Sequence, residues 1–395
     1  MNYKGAFMEL KKIIESKRCL GCGACINICK LNALSMHFDE KGFEYPQLDE
    51  KKCVECNQCF GVCPAVSTNV KTIKHEAKRD KVYSARIKDN EIRMKSSSGG
   101  LFYALSEYIL KNNGYICGVV WNQDFSVKHI CSKSTKDRDA MMQSKYIQSD
   151  TSKTFYEVRE HLLNGKMVLF TGTPCQCAGL RLFLGSISTD NLFIMDVLCG
   201  GNVSPGFFKN YINYIEKKKK GKALSICFRT KKIGWKQHHI RVTLNNTVYE
   251  GARKEDEPFF YLYLGKQIIR DSCFDCGFAS IKRVSDLTVG DFWGINDPEI
   301  DDDRGISFVM LNSSKGEFLF NNVSEELNIE KRSLEIAISK QINLRNPPLK
   351  PYTRELFWDD WQQKGADYAL QKYTTFGKWN HLKRKIIRMI KGVRS

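Results

Sequence analysis

"CLGCGACINIC", residues 19–29, and its near repeat "CVECNQCFGVCP", residues 53–64, decide the fold of the first part of the chain. Each carries C-x2-C-x2-C-x3-C: Cys19, Cys22, Cys25 and Cys29, then Cys53, Cys56, Cys59 and Cys63, with Pro64 closing the second run. Soft thiolates at this spacing wrap three corners of an iron–sulfur cubane, and the fourth cysteine of each run reaches the other cluster. The pattern assigns Cys19, Cys22, Cys25 and Cys63 to one [4Fe-4S] cluster. It assigns Cys53, Cys56, Cys59 and Cys29 to a second. Structural zinc is favoured by isolated C-x-x-C pairs and does not call for two complete four-cysteine runs. A fold-holding role would not need a second cluster, whereas electron transfer would.

Between the runs, "ALSMHFDEKGFEYPQL" reads as strand, Asp-Glu-Lys-Gly turn and strand, a hairpin. The whole segment resembles a bacterial two-cluster ferredoxin, which implies a small α+β fold. Lys30 stands in a place open to proline after the first run; this removes a turn constraint but no ligand.

The rest of the composition sets bounds. The chain has 395 residues, 42% apolar and 27% charged, which suits a soluble globular protein of two or three domains. No stretch reaches the ~18–20 apolar residues of a membrane span, and the first residues lack an apolar signal core. A cytoplasmic, reducing location is therefore expected, where sixteen cysteines serve metals or redox chemistry before disulfides. The net charge is +18. Two or three clusters at about −2 each offset about 4 to 6 of these charges. The remainder suits an acidic electron donor or an anionic membrane. No nucleic-acid module is recognisable, so nucleic acid is not an expected partner.

The expected organisation is a ferredoxin-like domain over 1–68, a polar linker over 69–81, an α/β domain over 82–350 and a basic tail over 351–395. In the α/β domain "VYSARI" reads as a strand. "KSSSGG" then opens an apolar-periodic helix that runs to about Lys111, and "YICGVVW" is the next strand. A Ser/Gly run at a helix start is either an anion cradle or a plain N-cap. Two β–α units follow. Strand Met167–Thr171 leads through Gly-Thr-Pro to a helix from about Cys175, and strand Leu192–Leu198 leads through Cys-Gly-Gly to a helix near Pro205. Alternation of this kind predicts a parallel sheet with its ligands at the strands' carboxyl ends.

Cys175 and Cys199 each follow such a strand. Cys273 and Cys276, in "CFDC", precede a further strand, "SDLTVGDFW". If the strands are neighbours, Cys175, Cys199, Cys273 and Cys276 converge as the ligands of a third [4Fe-4S] cluster. The alternative is buried core thiols with the C-x-x-C as a redox pair. Cys177, two helical steps from Cys175, should point elsewhere. Cys117, Cys131 and Cys227 read as strand cores without chemistry.

"KSSSGGLFYALSEYIL", "QSKYIQSD", "GTPCQCAGL", "LCGG" and "CFDCGFASIKRVSDLTVGDFWGI" together resemble the coenzyme F-420 hydrogenase/dehydrogenase beta-subunit family, over about residues 82–310. The resemblance implies FAD bound in an α/β flavin-binding domain and fed by iron–sulfur clusters. It places Ser97, Ser98, Gly99 and Gly100 in the FAD phosphate environment, with Lys145 of "QSKYIQS" as a further candidate beside a solvated surface role. It implies electron exchange with a ferredoxin or another low-potential donor. The electrons go either to a deazaflavin, as the beta subunit of a larger complex, or to an organic small molecule. Cell-surface polysaccharide genes of anaerobes carry the same fused layout, so a glycan-related substrate is a further implication. Asp291 in "VGDFWG" is a candidate proton carrier or turn cap, and His238 and His239 alternate so that one faces inward. The expected function is an iron–sulfur flavoprotein oxidoreductase; the non-catalytic alternative is a cluster-bearing redox sensor or scaffold. The tail "KWNHLKRKIIRMIKGVRS", residues 378–395, has an apolar stripe at helical spacing among basic residues. It is either a helix on the protein's own core or a peripheral contact with the inner face of a membrane.

Overall fold

The computed structural model describes residues 10–71, 73, 75, 81–251, 257–295, 297, 300–377, 380, 382 and 386. The first sheet is the expected hairpin, β1 (Leu34–Phe38) against β2 (Glu44–Leu48), antiparallel with Leu34 opposite Leu48. Asp39 closes its turn: one carboxylate oxygen accepts from the N–H groups of Lys41 and Phe43. Gly42, at φ 72°, supplies the left-handed backbone that the turn needs. The two cysteine runs each open onto a short helix, Ala24–Ile28 and Gln58–Gly61.

The second domain is built on an eight-stranded sheet. Its strands are β3 (Val82–Ile87), β4 (Tyr115–Trp121), β5 (Val127–Ser132), β6 (Val168–Gly172), β7 (Leu192–Val197), β11 (Leu287–Asp291), β12 (Ser307–Leu311) and β13 (Leu327–Arg332). The intervening β8 (Ala223–Cys227), β9 (Ile240–Leu244) and β10 (Val248–Gly251) form a separate antiparallel sheet. The large sheet runs β13-β3-β12-β11-β7-β6-β4-β5. Only β4, β6, β7 and β11 make parallel pairs; β5, β12 and β13 pair antiparallel, so the sheet is mixed where the strand–helix alternation predicted a parallel one. The alternation covered the central units; β5 returns on β4 through a tight hairpin, whereas β13, although it follows helix Ser314–Asn321, pairs antiparallel with β3.

Side chains of the central strands alternate between two apolar layers. Val168 and Phe170 face one and Leu169 the other; Leu192 and Ile194 face one, Phe193 and Met195 the other. Helices Thr154–Leu163 and Pro174–Leu184 cover the first face and helix Leu101–Lys111 the second. Burial of each such Val, Leu or Phe stabilises the domain by about 1.5–3 kcal/mol. Both faces are thus closed, and the strand ends are the places left for chemistry.

Two findings alter the sequence reading. Cys117 and Cys131 do lie on strands, but they stand directly opposite each other on β4 and β5 and form a disulfide, with Cα atoms 4.1 Å apart. Cross-strand register brought them together, and neither residue's local pattern carries that register. Within the segment expected as a tail, helices Thr353–Lys364 and Ala366–Tyr373 bury Phe357, Trp358, Ala369 and Leu370 in the core shared with β8–β10. The stretch 378–395 lies almost wholly outside the described residues. Among the described residues no helix is long and apolar enough to cross a membrane.

Candidate cluster and cofactor site

Gly23 and Asn57 take positive φ, 78° and 59°, immediately before the two short helices, and turn the chain back so that each run wraps inward. Backbone N–H groups point at sulfur: Gly21 N to Cys19 and Glu55 N to Cys53 at 3.4 Å, and Ala33 N to Cys29 at 3.3 Å. One cavity is lined by Cys19, Cys22, Cys25 and Cys63 together. Burial, then the Cys63 thiolate, pushes the Cys22 thiol well up. Burial, then Cys19, pushes Cys63 up to about 12. The fourth cysteine of the second run therefore stands with the first run. Cys59, pushed up to about 11 by burial with Cys56 and Cys53 acting in the same sense, belongs to the other set, in which Cys56 is exposed.

Helix Pro174–Leu184 fixes the next ligand candidate. Thr173 caps it, Pro174 opens it, and Gln176 Oε1 reaches back to the Thr173 N–H at 3.1 Å, which sets Cys175 in the first turn. Strands β6 and β7 are neighbours and β11 follows, so the turns that carry Cys175 and Cys199 open side by side. Cys273 sits on the 3-10 turn Asp271–Asp275, with Cys276 just beyond it. All four cysteines line one cavity, with Asn202, Arg283, Asn343 and Pro348. Burial and then Cys199 push Cys175 to about 12; burial also pushes Cys199 to about 11, with Cys276 adding to it. Thiols crowded together so that Cys175, Cys199 and Cys273 are all raised cannot all ionise alone, and the cationic core of a cluster would resolve this. Cys177 is fully buried in the apolar layer and does not line this cavity. Among the described residues no group of three or more His, Cys, Asp or Glu is set to hold a single metal ion. Zinc wants its sulfurs at about 2.3 Å from one centre, whereas a cubane accepts a wider set.

A larger cavity of about 300 Å³ opens beside these cysteines. Its wall includes Ser97, Ser98, Gly100 and Lys145, the helix start Leu101–Phe102, apolar Val119, Met195 and Val289, and the turn Cys199–Asn202. Gly99 lies behind the wall, its N–H donating to Ser307 Oγ at 3.0 Å. Ser97 Oγ accepts from Ser144 N at 2.7 Å, and Ser98 Oγ donates to the Ile306 carbonyl at 2.8 Å, so these hydroxyls brace the loop. Lys145 is not a free surface charge. Its Nζ donates to the carbonyls of Ala140, Met141, Met142 and Gln143 at 2.7–3.3 Å, closing helix Thr135–Met141. Burial lowers its pKa to about 7, with the Cys227 thiol acting in the opposite sense.

Asp291 reaches the cavity at the end of β11, but neither as a turn cap nor as a free proton carrier. One oxygen accepts from Arg229 Nη1 at 2.6 Å and the other from Trp235 Nε1 at 3.3 Å. Arg229, 1% exposed, also donates to Tyr146 Oη at 3.2 Å. His238 and His239 precede β9 and are both buried, where alternation had one facing outward. His238 stacks on Trp293, His239 bonds Thr230, and neither lines the cavity. Sequence reasoning missed Arg229, Tyr146 and Asn202. Tyr146 lies in "QSKYIQSD" and Asn202 follows "LCGG", while nothing local marks Arg229.

Residues 18–66 match the family model of the 4Fe-4S dicluster domain. Residues 165–336 match the family model for the C-terminal part of the coenzyme F420 hydrogenase/dehydrogenase beta subunit. A chain of the F420-reducing [NiFe] hydrogenase complex from Methanosarcina barkeri is similar at 17% identity and a TM-score of 0.45, over 76% of this chain and 94% of that one. No curated protein matches. The chain thus joins a segment similar to 4Fe-4S dicluster domains, residues 18–66, to a mixed α/β domain whose residues 165–336 are similar to the C-terminal part of the coenzyme F420 hydrogenase/dehydrogenase beta subunit.

Proposed function

We propose that this iron–sulfur electron-transfer protein is a reductase with three [4Fe-4S] clusters and FAD. A ferredoxin or similar low-potential donor serves the set Cys53, Cys56, Cys59 and Cys29, in which Cys56 is exposed. The set Cys19, Cys22, Cys25 and Cys63 lies next, and the set Cys175, Cys199, Cys273 and Cys276 last. One observation carries the reading: Cys199, Gly201 and Asn202 line both the cysteine cavity and the 300 Å³ cavity, so the last cluster set and the cofactor cavity share a wall. The first set is also close to the last. A Cβ built on Gly179, four residues after Cys175, would lie 3.2 Å from Cys22 Sγ.

The chemistry of the cavity lining supports FAD as the cofactor of this proposal. The start of an eleven-residue helix presents backbone N–H groups to a phosphate, and apolar walls suit a flat ring system. Ser97, Ser98, Gly100 and the helix start would hold it, while Lys145 shapes the wall by closing helix Thr135–Met141. Bound there, FAD would collect single electrons and deliver them in pairs to an organic acceptor. A second reading, an electron-transfer subunit that uses a deazaflavin, rests on the family match over residues 165–336. Peripheral membrane contact through residues 378–395 belongs to the proposal as well: Leu382 and Ile386, one helical turn apart, are 49% and 44% exposed.

Anaerobic purification with iron and flavin analysis tests the proposal. About twelve irons and bound FAD per chain support it, counting four irons to each cluster. About eight irons without flavin would sink it and leave a two-cluster carrier on a scaffold. Reduction of an added deazaflavin by the purified chain would favour the second reading.

A further inference from the structure

The turn after β7 is shaped around sulfur. Gly201 sits at φ 118°, a region closed to most side chains, and a Cβ there would press on Ile269 at 2.8 Å. This backbone turns two consecutive N–H groups toward thiols: Gly201 N lies 3.4 Å from Cys199 Sγ, and Asn202 N lies 3.4 Å from Cys273 Sγ. The Asn202 carboxamide reaches a third sulfur, with Nδ2 4.0 Å from Cys175 Sγ. Asn202 is 8% exposed and lines both the cysteine cavity and the larger cavity. Its carbonyl accepts from Arg270 N at 2.9 Å, which holds the backbone in place.

A hydrogen bond to a cluster thiolate withdraws charge from sulfur and favours the reduced, more negative cluster, so such bonds raise the reduction potential. One residue that donates to two ligands from different segments has more leverage than any single backbone group in the site. We propose that Asn202 is a positioning residue that sets the reduction potential of the cluster held by Cys175, Cys199, Cys273 and Cys276, through its bonds to Cys175 and Cys273. The inference rests on the three-cluster reading given above. It deepens that reading by naming the residue that tunes the step nearest the cofactor cavity.

The test is an EPR-monitored redox titration of the full-length protein, purified anaerobically, for the parent, Asn202→Leu and Asn202→Asp. Leu removes the side-chain donor at similar volume. Asp keeps the shape and replaces the donor with a negative charge. The expected result is a third-cluster midpoint that moves to more negative potential in Leu and further in Asp. Iron content and the potentials of the two N-terminal clusters stay at parent values. An unmoved third-cluster potential in both variants overturns the inference. Loss of about four irons in both variants also overturns it, because Asn202 would then hold the ligands rather than tune them. The parent itself separates the two levels: about eight irons and two cluster signals there would fell the three-cluster reading and this inference with it. Three signals in the parent leave the variants to judge Asn202 alone.

Discussion

Arg270 Nε donates to the carbonyl oxygen of Cys19 at 2.7 Å, across 251 residues of sequence. The same fully buried guanidinium donates to the Glu44 carbonyl at 2.7 Å and to Gln148 Oε1 at 2.9 Å, and lies 4.0 Å from the centre of the Tyr45 ring. Cys273 follows three residues later. One turn therefore carries both a clamp on the first cluster run and a ligand candidate for the third.

Arg270→Met should loosen the N-terminal domain from the rest. Three acceptors would lose a charged donor, two of them backbone carbonyls, and each buried acceptor left unsatisfied costs about 1–3 kcal/mol. The expected outcome is faster proteolytic cleavage between residues 66 and 81 and a lower unfolding midpoint. Cleavage at the parent's rate would show that the clamp contributes little to docking.

Cys273→Ser and Cys276→Ser should each remove about four irons while about eight remain on the N-terminal runs. Iron analysis decides it. Parent-level iron in both variants would mean that these cysteines are not cluster ligands.

Asp291→Asn should destabilise the chain by about 3–5 kcal/mol, because it leaves the Arg229 charge buried and unpaired. Arg229→Met in the same chain should recover part of that loss. Denaturant midpoints of the two single variants and the double variant give the coupling. A stable Asp291→Asn chain that fails only in turnover would instead make Asp291 a catalytic acid.

His129 sets a pH dependence. Burial lowers its pKa to about 4, while its ring lies 3.0 Å from both the Thr171 carbonyl and Ser149 Oγ. The unfolded chain binds this proton near pH 6.5 and the folded chain only near pH 4. The contribution is therefore complete above pH 6.5 and is lost as pH falls toward 4, by up to about 3 kcal/mol. Unfolding midpoints at pH 7 and pH 4.5 should converge when His129 is replaced by Asn. An unchanged gap between them would assign the acid sensitivity to other groups.

A chain ending at Phe376 should stay in the supernatant with anionic vesicles, while the full chain sediments with them and less so in high salt. Seven Lys or Arg stand in residues 378–395 with no acid, and each adds about 1 kcal/mol near such a surface. Equal sedimentation of both chains would exclude this segment as the contact.

The N-terminal cysteine runs were legible because their chemistry is local: ligand identity and spacing sit within a dozen residues. The third set was legible only as far as strand adjacency could be guessed from β–α alternation. The β6–β7 neighbourhood agreed with that guess, while the reversed strands β5, β12 and β13 did not announce themselves. Lys145 was visible as a cation but not as the cap of the preceding helix Thr135–Met141. Arg229 with Asp291, Arg270 with Cys19, and Cys117 with Cys131 depend on register and long-range packing, which no short window contains.

The contacts of Arg270, Ser272, Gln148 and Thr151 with the backbone of Cys19, Gly21 and Cys22 cover the approach to the inner cysteines. Because the covering domain is covalently attached, it competes for that face at an effective concentration on the order of millimolar. A diffusing carrier protein at ordinary abundance would lose that competition. On the proposed route, electrons from outside would therefore enter at the exposed Cys56 side, with the donor selected by geometry before any potential difference is felt.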